Sequence, residues 1–326
     1  MITGGAGYIG SLLTGRLLAD GHDVTVVDSL VFGGDPLLPY LANPKFSFRK
    51  LDVTSADLGH ELRGVAAVYH LAALVGFPAC QSAGEDVSYK INLEATRRVF
   101  EAAEGAGVER FVFASSYSNY GIARDSKPVT EESELRPQSL YARTKIAAEE
   151  YLLGRVENSA TAPIIPRFTT LFGVSPRTRF DLIVNQFVLE AITLRKLILF
   201  QGSYRRSFVH VRDIVRALQM FATAPIQTVR GQVFNVGSEI GNYTKAEIID
   251  LVRSEVEGVE LEERDLSFDG DMRDVAVSCQ KIYERLGFSA SIPVIDGIRE
   301  VRDAILSGLI SEPASPRYRN YELALR

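Results

Sequence analysis

The chain has 326 residues, enough for about two domains at roughly 150 residues each, and its 46% hydrophobic and 24% charged content excludes disordered and membrane-embedded classes. A net charge of -5 argues against a nucleic-acid surface. The two cysteines, Cys80 and Cys279, lie far apart without metal-ligand spacing, so neither a metal site nor a disulfide framework is read.

Taken in chain order, Met1 leads directly into a strand and its turn, and no run approaches the ~20 apolar residues that span a bilayer. The expectation is a cytoplasmic protein that engages no membrane. The turn Thr3-Gly4-Gly5-Ala6-Gly7-Tyr8-Ile9-Gly10 stands before an amphipathic helix marked by Ile9, Leu12, Leu13, Leu17 and Leu18. Glycine permits a tight turn and lets a pyrophosphate approach backbone N–H groups at the helix's positive end. Only Met1 and Ile2 precede Thr3, so either upstream residues are missing from the sequence or the first strand is unusually short. The next strand ends in Val26-Val27-Asp28, where an acid accepts hydrogen bonds from an adenosine ribose and repels a 2′-phosphate. NAD is therefore expected over NADP.

Residues 23–27, 46–50, 67–71, 110–114 and 162–167 read as buried strands, with helical spacing between them, as at Ile91, Val99, Ala102 and Ala103. Alternating β-α-β units predict an α/β fold with a Rossmann-type doubly wound parallel sheet. After Arg167, irregular segments at 173–176 and 224–231 mix with helices near 180–194, 244–256 and 295–306, predicting a smaller C-terminal α/β lobe. The division expected is a dinucleotide domain over 1–167, onto which about 205–236 packs back, and a substrate lobe over 168–326. The polar tail 311–326 is expected on the surface.

Between these elements lie the residues that carry chemistry. The strand 110–114 runs into Ser115-Ser116-Tyr117-Ser118-Asn119-Tyr120-Gly121, and Tyr141-Ala142-Arg143-Thr144-Lys145 opens a helix after Pro137. A spacing of four puts Tyr141 and Lys145 on one helical face. A phenol is a poor base at neutral pH unless positive charge stabilises its phenolate, and Lys145 with a nicotinamide would supply that charge. Tyr141 is then the proton acceptor and donor, with Ser116 bonded to the reacting oxygen.

With these residues in view, the chain resembles the extended short-chain dehydrogenase/reductases that act on nucleotide sugars, UDP-galactose and UDP-glucuronate 4-epimerases among them, from Thr3 to about Val301. The resemblance implies NAD contacts at Gly4, Gly7, Tyr8, Ile9 and Gly10, and at Asp28, Ser29 and Leu30. It adds Asp52 and Val53 near adenine, Leu71, Ala72 and Ala73 at a strand end, Asn92 on the following helix, and Ala114 with Ser115. For the sugar it implies Val75, Phe77, Ser116, Tyr117, Ser118 and Thr170. For base, ribose and phosphates it implies Asn185, Phe200, Arg206, Asp271 and Arg273. It also implies a homodimer through residues 89–105 and 139–153.

Members that carry out β-elimination have Glu where this chain has Ser118, and the 3,5-epimerase/reductases have Cys there. What remains is hydride transfer at one carbon, as a 4-epimerase performs reversibly or a 4-ketoreductase in one direction; a 4,6-dehydratase or a sensor that binds NAD without catalysis ranks lower. Thr170 stands where the galactose epimerases have an Asn that contacts substrate phosphate. The UDP-glucuronate 4-epimerases share this Thr, with an arginine in the next loop, here Arg179 or Arg177, that would hold a C6 carboxylate, and a UDP-linked sugar is expected.

Overall fold

The structure is a computed structural model that describes residues 1–123, 127–264 and 273–320. Its first strands are β1 (Ile2–Thr3), β2 (Val24–Asp28), β3 (Phe46–Lys50), β4 (Ala67–His70), β5 (Arg110–Phe113), β6 (Ser115–Ser116) and β7 (Ala162–Phe168). Six more follow: β8 (Thr170–Phe172), β9 (Lys196–Phe200), β10 (Arg205–His210), β11 (Gln232–Val236), β12 (Asn242–Thr244) and β13 (Glu260–Arg264).

The main sheet has the order β11-β7-β5-β4-β1-β2-β3, with β6 beside β7, and its pairings are parallel. Chain order reverses between β1 and β4, which opens a crevice at the carboxyl ends of both strands. Successive residues of one strand point to opposite faces, and the core divides accordingly. Val26, Val112 and Ile164 face helices Tyr8–Ala19 and Val211–Thr223, whereas Val27, Phe111, Phe113 and Ile165 face helices Ala95–Gly105 and Leu140–Leu153.

β1 has only two residues, yet it occupies the middle of the sheet. Ile2 lies opposite both Val26 and Tyr69, and Thr3 opposite both Val27 and His70. Side chains extend the ladder: Thr3 Oγ1 lies 2.8 Å from His70 Nδ1, and His70 Nε2 lies 3.1 Å from Thr96 Oγ1. Burial, aided by the Lys145 charge, lowers the His70 pKa to about 3, so the ring is neutral and both nitrogens serve as hydrogen-bonding groups.

The rest of the chain forms a second layer around its own apolar cluster. β8, β10 and β12 make a three-stranded sheet and β9 pairs with β13, while helices Ile183–Thr193, Lys245–Glu255 and Val294–Leu306 share one core. Thr244 begins the second of these with a capping box, accepting from the Glu247 N–H while the Glu247 carboxylate accepts from its own N–H. Within 205–236, β10 belongs to the smaller sheet, but the helix after it packs beside Tyr8–Ala19 and β11 adds to β7. The described tail residues, 311–320, lie at the surface as expected, none of them buried, yet they are anchored. Tyr318 packs edge-on against Phe180, and its carbonyl accepts from Phe180 N at 2.9 Å, so residues 316–320 are tied to the loop before Ile183. Among the described residues no helix is long and apolar enough to cross a membrane.

In the first turn Gly4, Gly5 and Gly10 are sterically restricted, Gly5 by Val26, and Gly7 is not. Gly4 has φ +74°, and a Cβ on Gly10 would stand 2.3 Å from the Gly4 carbonyl oxygen and 2.6 Å from Gly5 Cα. A Cβ on Gly7 would meet only that oxygen, at 3.1 Å. Gly10→Ala should therefore cost about 1–3 kcal/mol in urea denaturation, as overpacking does. Gly7→Ala should leave stability within about 0.5 kcal/mol and show its effect in dinucleotide affinity instead. Equal stability losses in the two variants would contradict this geometry.

Candidate active site

A single cavity of about 1370 Å³ runs along the carboxyl ends of the main sheet and beneath the second layer. Sites for one small ligand are commonly about 300–1,000 Å³, so this volume suits two ligands side by side.

At one end the glycine turn supplies Gly4, Gly7, Tyr8, Ile9 and Gly10 to the wall. Asp28 lies beside them; its carboxylate accepts from Ala6 N at 3.0 Å and Leu30 N at 2.8 Å, one bond per oxygen. Burial raises its pKa against those bonds, and each oxygen keeps a lone pair for a ribose hydroxyl. Ser29, Asp52, Val53, Leu71, Ala72 and Ala73 continue the wall. This end fits a dinucleotide: a bare backbone turn at a helix start, with an acid one strand away.

Two residues expected at the cofactor do not line this cavity. Leu30 has φ +60° and packs into the core, its N–H taken by Asp28. Asn92 is buried in a wide π-type turn, Lys90–Glu94, where Oδ1 accepts from Leu74 N at 2.8 Å and Nδ2 donates to the Leu74 carbonyl and Thr144 Oγ1, each at 3.0 Å. Its amide is consumed in joining the loop after β4 to the helix that carries Tyr141.

That helix, Leu140–Leu153, starts where the Ser139 side chain accepts from Ala142 N. Tyr141 and Lys145 face the cavity with Ala114, Ser115 and Ser116. Lys145 Nζ donates to the Ala114 carbonyl at 2.8 Å, lies 4.6 Å above the Phe113 ring and stands 6.0 Å from the Tyr141 ring centre. Burial lowers its pKa to about 8. Burial and then Cys80 push the Tyr141 phenol up to about 12, against the nearby Ser116 hydroxyl and the charges of Arg179 and Arg273. One of the three Lys145 N–H donors is used on Ala114, and the charges of Arg179 and Arg273, from the second layer, also act on the phenol.

Under the site lies a buried polar network absent from the sequence reading. Arg167, on β7, is bonded twice to Glu149, with Nε–Oε1 3.0 Å and Nη2–Oε2 2.6 Å, and the side chains are 5% and 2% exposed. Glu149 also accepts from the Ser115 hydroxyl and from Asn119 Nδ2. Arg167 Nη1 donates to the Tyr120 hydroxyl at 2.9 Å, which in turn donates to Asn235 Oδ1 at 2.7 Å.

On the sugar side, Val75, Phe77, Tyr117, Ser118, Thr170 and Arg179 line the cavity. Ser118 Oγ accepts from Ser116 Oγ and from Arg273 Nη1, both at 3.0 Å, and the Arg273 guanidinium lies over the Tyr117 ring. The Tyr117 hydroxyl meets Thr170 Oγ1. Arg179 is bound to Asp181 in a two-point pair, Nε–Oδ1 3.0 Å and Nη2–Oδ2 2.7 Å. Phe200 and Arg206 occupy the far end with Lys245, which the sequence reading missed. Asn185 is corrected: fully buried, it bonds the N–H and carbonyl of Gly173 and the Arg179 carbonyl, and does not line the cavity. Asp271 lies outside the described residues. Asn320, from the tail, is a lining residue that no motif announced.

This chain belongs to the NAD dependent epimerase/dehydratase family, whose model matches residues 1–237. It is 31% identical to a UDP-glucose 4-epimerase of Mycolicibacterium smegmatis over 91% of this chain and 95% of that one. Among solved structures, MoeE5 in complex with UDP-glucuronic acid and NAD is 29% identical with a TM-score of 0.80, covering 94% of this chain and 98% of that one. The dTDP-glucose 4,6-dehydratase DesIV of Streptomyces venezuelae, solved with NAD bound, is 27% identical with a TM-score of 0.85, covering 96% of this chain and 99% of that one.

Two measurements probe the site's charges. Arg167→Met strands the Glu149 carboxylate in the interior and should cost roughly 3–5 kcal/mol in urea denaturation. The double variant Arg167→Met/Glu149→Leu should recover much of that; losses that simply add would refute the pairing. Lys145 has a folded pKa of about 8 against an ordinary 10.5, so between these values the unfolded chain binds more protons and stability rises with pH. Measured against Lys145→Met at about pH 7.5 and about pH 9.5, the native chain should gain on the order of 1–2 kcal/mol. A flat difference would mean that Lys145 is better solvated than the structure shows.

Proposed function

We propose that this chain epimerises a nucleotide-linked hexose, UDP-linked, at C4 through a transient 4-keto sugar, with Tyr141 as the acid and base. The observation that carries the reading is the group beside Ser116. At that position a hydroxyl, Ser118, is held between Ser116 and Arg273, where an eliminating enzyme would need a proton carrier.

NAD, when bound, supplies an acceptor and donor for one hydride at C4, and its positive ring favours the phenolate. Tyr141 takes the C4 hydroxyl proton and returns it after the ketone has presented its other face. Ser116 donates to the reacting oxygen as negative charge gathers there. Lys145 stays on the Ala114 carbonyl and fixes the reactive strand end against the helix. Arg179 and Arg273 lower the cost of the phenolate, since both already act on Tyr141. Asp28 accepts from the adenosine ribose and disfavours a 2′-phosphate. The family match and the likeness to a UDP-glucose 4-epimerase support this reading.

The test is incubation with UDP-, dTDP-, GDP- and CDP-sugars without added NAD(P)H, with products identified by NMR. A C4 epimer formed without net cofactor consumption is expected. Turnover only of a 4-keto sugar with stoichiometric NAD(P)H oxidation would replace the reading with a ketoreductase. Tyr141→Phe should lower the rate by about 10²–10⁴-fold while NAD binding persists; undiminished turnover would overturn the role given to Tyr141.

A further inference from the structure

Arg177 is 5% exposed, lines the cavity, and forms no ion pair among the described residues. The buried arginines Arg167 and Arg179 are each matched to a carboxylate, Glu149 and Asp181. Arg177 has instead neutral partners: Nη1 donates to Asn320 Oδ1 at 2.7 Å, Nη2 to the Arg317 carbonyl at 3.2 Å, and the guanidinium lies 4.0 Å from the Phe32 ring centre. Its Nε is buried without a hydrogen-bond partner. Burial and then the charge of Arg179 lower its pKa to about 10, so it is still a cation at neutral pH. The charges of Asp181 and Asp28 offset part of this, but no carboxylate is in contact with the guanidinium, and an arriving anion would lower the remaining cost.

Its position says which anion. Phe32 lies on the segment that follows Asp28, and the Asp28 charge acts on Arg177. Two residues before Arg177, Ser175 Oγ donates to the Tyr8 carbonyl at 2.6 Å, which fixes this loop to the first turn of the helix after the glycine turn. We infer that Arg177 is a phosphate clamp closing on the diphosphate of the dinucleotide from the second layer, held in place by Arg317 and Asn320 of the C-terminal segment. The inference rests on the dinucleotide reading and not on which reaction follows. It makes Arg317 and Asn320 part of the cofactor's grip through their bonds to the arginine.

The test is binding of NADH, NADPH and UDP to the full chain and to Arg177→Gln, Arg177→Lys and Asn320→Ala, by NADH or NADPH fluorescence and by calorimetry for UDP. Arg177→Gln should weaken NADH by roughly ten- to a hundredfold and leave UDP within about twofold. Arg177→Lys should retain part of the affinity, and Asn320→Ala should lose several-fold with the arginine present. Unchanged NADH affinity overturns the inference, as does a loss confined to NADPH, which would assign the cation to a 2′-phosphate, or to UDP, which would assign it to the substrate. Should Arg177→Gln not fold, unchanged NADH affinity in both Arg177→Lys and Asn320→Ala overturns it. A native chain that binds no NADH overturns the dinucleotide reading as well.

Discussion

Beneath the reactive strand end, the guanidinium of Arg167 and the carboxylate of Glu149 meet almost out of reach of water, and four elements hang on that pair. Glu149 comes from the Tyr141 helix, Arg167 from β7, Ser115 from β6, and Tyr120 from the turn that follows. An isolated charge in this place would be intolerable, so each partner dictates where the other's backbone can stand. With the helix fixed to the strands, Tyr141 and Ser116 have little freedom to separate. The geometry of the site is inherited from a charge pair that does not itself line the cavity.

The chemistry of the cavity is set by desolvation as much as by neighbours. Tyr141 and Lys145 are both buried, and burial favours the neutral form of each, raising one pKa and lowering the other. A neutral phenol near an ammonium engaged with a carbonyl is the resting arrangement. Ligands that carry positive charge toward Tyr141 shift that balance, and Arg179 and Arg273 have begun to do so.

Much of this was legible in the sequence because it follows from local rules. The alternation of buried strands and amphipathic helices fixed the parallel sheet, and the expected strands match β2 to β5 and β7 within a residue at either end. Gly4, Gly7 and Gly10 with Asp28, and Tyr141 with Lys145, were recognisable because their spacing and their chemistry coincide. Asn92 and Asn185 were misread for one physical reason. An asparagine amide that bonds a loop's backbone looks the same in a sequence as one awaiting a ligand, and only the fold shows its donors and acceptor already used. The network under Arg167 was hidden because its members lie far apart along the chain. The tail was rightly placed at the surface, but polarity alone does not reveal that Asn320 reaches a buried arginine.

The wide turn at Lys90–Glu94 has a consequence for how such a site can change. Asn92 binds the Leu74 end of the loop that carries Val75 and Phe77, and through Thr144 it also grips the helix bearing Tyr141. Beyond this anchor Gly76, with φ +98°, starts the helix Phe77–Ala83, and Val75 and Phe77 reach the cavity wall. A side chain replaced at Val75 or Phe77 reshapes the cavity wall, while the Asn92 anchor keeps its register with the phenol. Selectivity for substrate can drift in such a frame without disturbing the chemistry performed on it.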